Sequence, residues 1–288
     1  MTSPLVRQAH DATNVLHSLI YFAPEAEQQF TAIGLEAGRM SYFAGRSAPM
    51  GAVGAGVVTA TFYNFSPELV ASCIPRAWQL ARPAAIIEAR FAAVDAVFRR
   101  LLGPDLIASP DLVALAGMVR EAASAGRPEG RPLYAGHADL AWPAGGPHLD
   151  LWHALSLLRE HRGDGHVAAL TAAGLSGLEA LVTHTATGEG FTEEFARSSR
   201  GWSAADWGDA VTGLTARGLL DDAGELTAAG LEVRATVERE TDRMAAPPWR
   251  HLGDERTEQV IQLGRQLSRA ALKAGAFPAD GVFARRRA

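Results

Sequence analysis

The chain has 288 residues, 48% of them apolar, enough for a sizeable core and more than one small domain needs. A formal charge of −5 argues against a general nucleic-acid or membrane-surface binder, and a single cysteine, Cys73, excludes a disulfide framework or a thiolate metal cluster. One cysteine fits a reducing, cytoplasmic setting, and the opening MTSPLVRQAHDATNV lacks the basic-then-apolar order of a signal peptide.

Residues 4 to 20 read as a first helix, with Val6, Val15, Leu16, Leu19 and Ile20 for its buried face. Pro24 starts a second, whose acids near the N-terminus suit the helix dipole. The stretch from Gly38 to Pro67 embeds Arg39, Tyr42, Arg46, Tyr63 and Asn64 among small and aromatic residues. Gly51, Gly54 and Gly56 do not make a phosphate loop: no strand precedes them, no Lys-Ser/Thr follows, and the spacing is not GxGxxG. The same stretch is uncharged between Arg46 and Glu68, but its prolines and glycines break it too often for a membrane span, so no membrane partner is expected. Ser66 caps a helix from Pro67 to about Leu80, kinked or stopped at Pro75. Residues 84 to 102 form the clearest helix of this half, with Ile87, Phe91, Val94, Val97, Phe98 and Leu101 at helical spacing and Gly103-Pro104 as its stop. Another helix runs from Asp111 to Ala125.

Residues 126–147 are rich in Gly and Pro, yet Leu133, Tyr134, Leu140 and Trp142 are anchors that a flexible linker lacks. An ordered strap carrying His137 and Asp139 is expected there. From His148 to Leu170 four of the nine histidines (148, 153, 161 and 166) gather with Glu160, Arg162 and Asp164. On an ideal helix His153 and Glu160 share a stripe, either a solvated face or the wall of a polar cavity. The Arg-Gly-Asp-Gly run predicts a corner: Gly163 ends one helix in a left-handed conformation and Asp164 caps the next, placing His166 in a first turn. Arg162 is expected to reach a carbonyl or carboxylate. The histidines converge too poorly for zinc, and no metal is expected. Further helices follow near 170–184, 193–199 and 204–218, then a two-stranded wing around Asp222-Ala223-Gly224. A long helix ends at Pro247-Pro248, and a last one spans Asp254 to about Ala274. The terminal FARRRA is expected to be disordered.

Trp202-Ser203 before a helix, then LTARGLL (214–220) and DAGELTAAG (222–230), resemble the winged helix-turn-helix of MarR-type regulators. The stretches YFAGRSAPMG, ATFYNFSP, LYAGHADLAWP and LLREHRGDGHVAAL resemble an actinobacterial group of helical proteins ending in a winged-helix segment. The resemblances imply architecture and supply no reaction. The fold class is thus mainly α: a helical N-terminal domain (1–125), the strap (126–147), a winged-helix-like domain with a two-stranded wing (148–246), and a C-terminal helix and tail (247–288).

For function, Phe191 to Thr227 carries seven acids against Arg197, Arg200 and Arg217, a net −4 where a DNA reader needs basic groups. DNA is therefore disfavoured as a partner, and the winged helix is read as a packing or dimerisation module; the long terminal helices are compatible with a homodimer. The leading expectation is a small-molecule-binding protein with a polar interdomain pocket drawn from Arg39, Tyr42, Arg46, Tyr63, Asn64, His137, Asp139, Trp142, His153, Glu160, His161, Arg162, Asp164 and His166. The alternatives are a ligand-responsive regulator and a His/Asp/Glu acid–base or metal-assisted hydrolase or lyase. No cofactor is named by any motif.

Overall fold

A computed structural model describes residues 3–277; the expected disordered tail lies outside them. Its helices, in chain order, are α1 (Ser3–Ser18), α2 (Pro24–Ala32), α3 (Arg39–Ser47), α4 (Ala55–Phe62), α5 (Pro67–Cys73), α6 (Arg76–Leu80), α7 (Pro83–Ile107), α8 (Pro110–Ser124), α9 (Pro132–Ala138), α10 (Pro147–Ala172), α11 (Gly177–Thr185), α12 (Glu193–Arg200), α13 (Ala204–Ala216), α14 (Ala228–Leu252) and α15 (Asp254–Lys273). The protein is mainly helical. No helix is long and apolar enough to cross a membrane among the described residues.

Two compact units form, and they interleave along the sequence. The first comprises residues 3–53, Cys73–Gly165 and Asp242–Phe277; the second comprises Gly54–Ser72 and His166–Thr241.

In the first unit α1 packs along α15. Val6, Ala9, Thr13 and Leu16 are buried at helical spacing on α1, facing Val260, Ile261, Leu267 and Ala271. Gly264 sets how closely the two backbones approach, since a Cβ there would lie 3.1 Å from the Ala12 carbonyl oxygen. Ser268 Oγ donates to that same oxygen at 2.9 Å. The terminal helices thus spend their apolar stripes on each other. In α7 the buried stripe is Ile86, Arg90, Val94, Val97 and Leu101, with an arginine where the pattern calls for an apolar residue. Gly103 breaks α7 with a positive φ of 72°, but helical residues resume after it up to Ile107.

Three expectations are corrected. The Arg-Gly-Asp-Gly run is not a corner: α10 passes through it without interruption, and neither Gly163 nor Gly165 has a positive φ. Their lack of a side chain serves close approach instead. A Cβ on Gly165 would come within 2.9 Å of Arg131 Nη1 and 3.2 Å of the Met244 Cβ, whereas one on Gly163 would meet the flexible end of Arg159 and lie at ordinary contact distance, 3.7 Å, from Glu160 Oε2. Secondly, α14 does not stop at Pro247-Pro248 but continues to Leu252. A proline removes the N–H that the carbonyl four residues earlier would accept. For Pro248 that carbonyl belongs to Met244, and Arg131 Nη2 donates to it at 3.0 Å, replacing the missing bond. Thirdly, the wing is not a two-stranded sheet. Asp221 N donates to the Glu225 carbonyl and Thr227 N to that of Leu219, closing a hairpin around Gly224. Only the Leu220–Leu226 pair bridges. The Asp221 carboxylate accepts from Ala223 N and Glu225 N and holds the turn. The turn takes up Asp222–Gly224 and α14 begins at Ala228, so too few residues remain on either side for regular strands.

Candidate functional site

The polar residues of the first unit are brought together by α3, α7, α9 and α10. Residues four apart on α3 lie one turn from each other, so Tyr42 and Arg46 face the same way, and Arg46 Nη1 donates to the Tyr42 hydroxyl at 2.8 Å. The guanidinium then meets Glu160 as a fork, Nε to Oε1 at 3.1 Å and Nη2 to Oε2 at 2.7 Å. Glu160 is fully buried and Arg46 nearly so. Burial alone would raise the Glu160 carboxyl; the charges of Arg46 and Arg159 outweigh it and hold the group well below the usual carboxylate range. The His153–Glu160 stripe is therefore neither a solvated face nor an open wall: α10 is buried on nearly every side from His148 to Leu158.

A second chain of contacts centres on Arg90, which the sequence reading missed. Its Nη1 lies 2.7 Å from His137 Nε2, and its Nη2 donates to the Tyr21 hydroxyl at 3.2 Å. The Trp152 ring lies 4.6 Å beneath the guanidinium. His137 Nδ1 lies 2.8 Å from the Leu133 carbonyl, which can only accept, so Nδ1 carries the proton and Nε2 accepts from Arg90. Burial, and next the Arg90 charge, push the His137 pKa down to about 3. His153 is likewise lowered to about 4, by burial and then Arg90. Its ring packs against Trp142 at 4.8 Å, and Trp142 in turn lies 4.0 Å from the Arg120 guanidinium.

Where the corner was expected, Asp164 accepts from Tyr134 N at 2.9 Å and so pins α9 to α10. Burial, the largest cause, raises its pKa to about 7. Arg131 donates to the His161 carbonyl oxygen as well as to that of Met244. Burial and the Arg131 charge lower His161 to about 4. Arg162 does reach a carboxylate, Asp242 Oδ1 at 2.7 Å, and Arg7 takes the other oxygen at 2.8 Å.

The remaining candidates lie apart from this network. Arg39 is half-buried and Asp139 is exposed. Tyr63, Asn64 and His166 belong to the second unit. There the Tyr63 hydroxyl donates to the Leu175 carbonyl at 2.5 Å and the Asn64 carbonyl accepts from Trp202 Nε1 at 2.9 Å. His166 is not in a first turn; its Nδ1 lies 2.9 Å from Thr241 Oγ1. No group of three His, Cys, Asp or Glu is placed to hold a metal among the described residues. A cavity of about 20 Å³ in the first unit is lined by α1, α10 and α14 residues. That volume suits one water and no larger ligand.

In the second unit α12, a short turn and α13 form a helix-turn-helix. Thr192 caps α12, accepting from Phe195 N, and Gly201 ends it in a left-handed conformation with φ 75°. Ser203 and Asp206 then exchange a full capping box at the start of α13. Arg200 lies over the rings of Phe65 and Phe191 at 5.0 and 5.1 Å, tying α12 to the residues before α5. Trp207 and Leu214 are the buried side of α13. Its exposed side shows Ala205, Asp206, Gly208, Asp209, Thr212 and Ala216, and the hairpin exposes Asp221, Asp222 and Glu225. Arg217 is engaged with Glu179 at 2.8 Å. Over the whole described unit thirteen carboxylates face five arginines, a net charge of −8, more than the chain total of −5.

No curated protein and no solved structure matches the chain. Residues 6–278 match the model of a helix-turn-helix family. That match covers nearly the whole chain, both units included, and the chain belongs to this helix-turn-helix family.

Proposed function

We propose that the protein is a regulator of the helix-turn-helix class that acts through protein contacts rather than by reading DNA with α13. The observation that carries this reading is the net charge of −8 on the described residues of the unit that holds the helix-turn-helix. DNA binding requires cationic groups to displace counterions from phosphate. Here the helix that would enter the groove exposes Asp206 and Asp209, and the hairpin beside it exposes Asp221, Asp222 and Glu225. The uncharged positions between are small, which suits close packing against protein better than hydrogen bonding to base edges.

The second reading is a DNA-binding regulator, favoured by the match to a helix-turn-helix family; that it is of the MarR kind rests on the resemblance of residues 214–230 alone. A salt-titrated mobility-shift assay with DNA from upstream of the gene separates the two. No shift at low salt agrees with a protein-binding module. A shift that weakens steeply as salt rises overturns that reading and establishes the second. Sedimentation of the purified chain over a concentration series tests whether the protein contact is with a second copy. The small-molecule reading has less support, because Arg46 is paired with Glu160 and Arg90 with His137, and these pairs would have to be parted to meet a ligand.

A further inference from the structure

Among the described residues Tyr63 is the one non-glycine residue with a positive φ, 58°, paired with a ψ of −56°. Across it Asn64 N donates to the Phe62 carbonyl at 2.7 Å, so Tyr63 is the centre of a γ-turn of the strained, positive-φ form. A side chain as bulky as tyrosine rarely sits there, and such strain persists only where the surroundings over-determine it. Here the end of α10 and the start of α11 do so. The Tyr63 hydroxyl donates to the Leu175 carbonyl at 2.5 Å. Gly177 lies so close that a Cβ on it would come within 1.8 Å of the Tyr63 carbonyl oxygen.

The residues after this turn hold the turn of the helix-turn-helix. Arg200 is the last residue of α12, and its carbonyl is one of those that a helix end leaves without an internal partner. It accepts from Ser66 N at 2.8 Å. The Asn64 carbonyl accepts from Trp202 Nε1 at 2.9 Å. Gly201, between these two, is pressed against α5: a Cβ there would lie 2.7 Å from the Leu69 Cβ and 3.0 Å from Ser66 Oγ. The link that sets α13 against α12 is thus bonded on both sides of Gly201 to the residues that follow the strained one.

We propose that the turn at Tyr63 is a strained latch on the helix-turn-helix, with two states. Closed, Tyr63 keeps its positive φ and Asn64 and Ser66 hold Trp202 and Arg200. Open, Tyr63 relaxes to a negative φ, the chain from Asn64 onward is redirected, and both bonds are lost, which frees α13 to turn against α12. Strain in the closed state lowers the cost of opening, so the open state is reached without unfolding α14. The latch would regulate the α13 surface, a role that rests on the reading of that surface as the working one.

Hydrogen exchange on the full chain, with no partner present, tests this. In the wild type the amides of 64–66 and 200–203 are expected to exchange as one group and faster than those of α14 between 234 and 241. Exchange of both sets at a single rate overturns the latch, because opening is then unfolding of the whole unit. Tyr63→Ala and Tyr63→Gly both remove the ring and hydroxyl and differ chiefly in the cost of a positive φ. The latch amides are expected to exchange about fivefold or more faster in the alanine variant; equal rates overturn the strain. Tyr63→Phe keeps the strain and removes the bond to Leu175, and is expected to speed the same amides by roughly two- to tenfold while α14 is unchanged. A rise shared equally by α14 overturns the proposal. If a variant fails to fold, the wild-type rates still decide. These rates can overturn the latch while the assignment of the α13 surface stands, and the mobility-shift assay can overturn that assignment while the latch stands.

Discussion

Glu160→Gln is nearly isosteric and removes one charge from the most buried ion pair of the first unit. In the wild type the carboxylate has no exposed surface and takes two hydrogen bonds from Arg46, at 3.1 and 2.7 Å. After the change, Arg46 keeps its bond to Tyr42 but loses its counter-charge in a place where it is 7% exposed. Breaking a buried pair by removing one partner costs about 3–5 kcal/mol. Folded domains are stable by only about 5–15 kcal/mol, so this single atom change consumes a large share. For a unit of this size each kcal/mol corresponds to roughly 2–4 °C of Tm, and a fall of about 6–20 °C is expected. Urea unfolding at pH 7, followed by tryptophan fluorescence and far-UV circular dichroism together, measures it and shows whether the two units unfold in one step. A companion variant replaces both partners, Arg46→Met with Glu160→Met. Apolar replacement of a buried pair is often neutral or stabilising, so the double variant is expected to recover most of the loss. A cost below about 1 kcal/mol for Glu160→Gln, the range of a solvated surface pair, refutes the reasoning. So does a double variant as unstable as the two single changes summed.

Stability is expected to fall as pH drops from about 7 toward 4. His137, His153 and His161 have folded pKa values lowered to about 3, 4 and 4, so the unfolded chain binds more protons in that window and acid favours unfolding; a flat profile from pH 7 to 4 counts against the burial. Asp164 has the opposite sign. Its pKa is raised to about 7, so its contribution is present below the ordinary aspartate range and is lost as pH rises through about 7. Asp164→Asn, which keeps an acceptor for Tyr134 N, should therefore gain stability relative to wild type at pH 8 more than at pH 5, and an equal effect at both pH values refutes the assignment. Gly163→Ala is expected to be neutral or stabilising by up to about 1 kcal/mol, since alanine is the better helix former, whereas a left-handed cap would make it destabilising. Gly165→Ala is expected to cost about 1–3 kcal/mol by overpacking against Arg131 and Met244; urea titrations of both variants check the pair. Arg131→Leu is expected to cost about 1–3 kcal/mol per stranded carbonyl, and amide exchange near 161–165 and 244–248 should rise with it; unchanged exchange there refutes the bridging role.

Much of the architecture was legible in the chain because helices leave local signatures. Apolar residues at helical spacing, prolines at first turns and serine or threonine caps located most of the helices, and Trp202-Ser203 with the LTARGLL and DAGELTAAG runs marked the helix-turn-helix. The charge of that segment was legible too, because exposed side chains need no partner to express their sign. The candidate site was less so. Arg46, Glu160, His137 and Arg162 were picked out, but not the partners of the last two, Arg90 and Asp242. Arg90, Arg131, Tyr21 and His17 were missed. The one signal for Arg90 was an arginine at a core position of α7, between Ile86 and Val94.

What the sequence by itself determined is the mainly helical character, the helix-turn-helix and its acidic surface, each carried by spacing of a few residues or by composition. Tertiary structure alone decided the rest. A glycine-aspartate-glycine run and a proline pair look like helix ends locally, yet both lie inside helices, and at the proline pair a distant arginine meets a carbonyl that the backbone leaves free. Arg131 donates to the Met244 carbonyl that Pro248 leaves unmet, and Gly165 gives it room to do so. Asp164 serves Tyr134 N, thirty residues earlier, instead of a cap. Those partners are remote in sequence, and no local pattern encodes them.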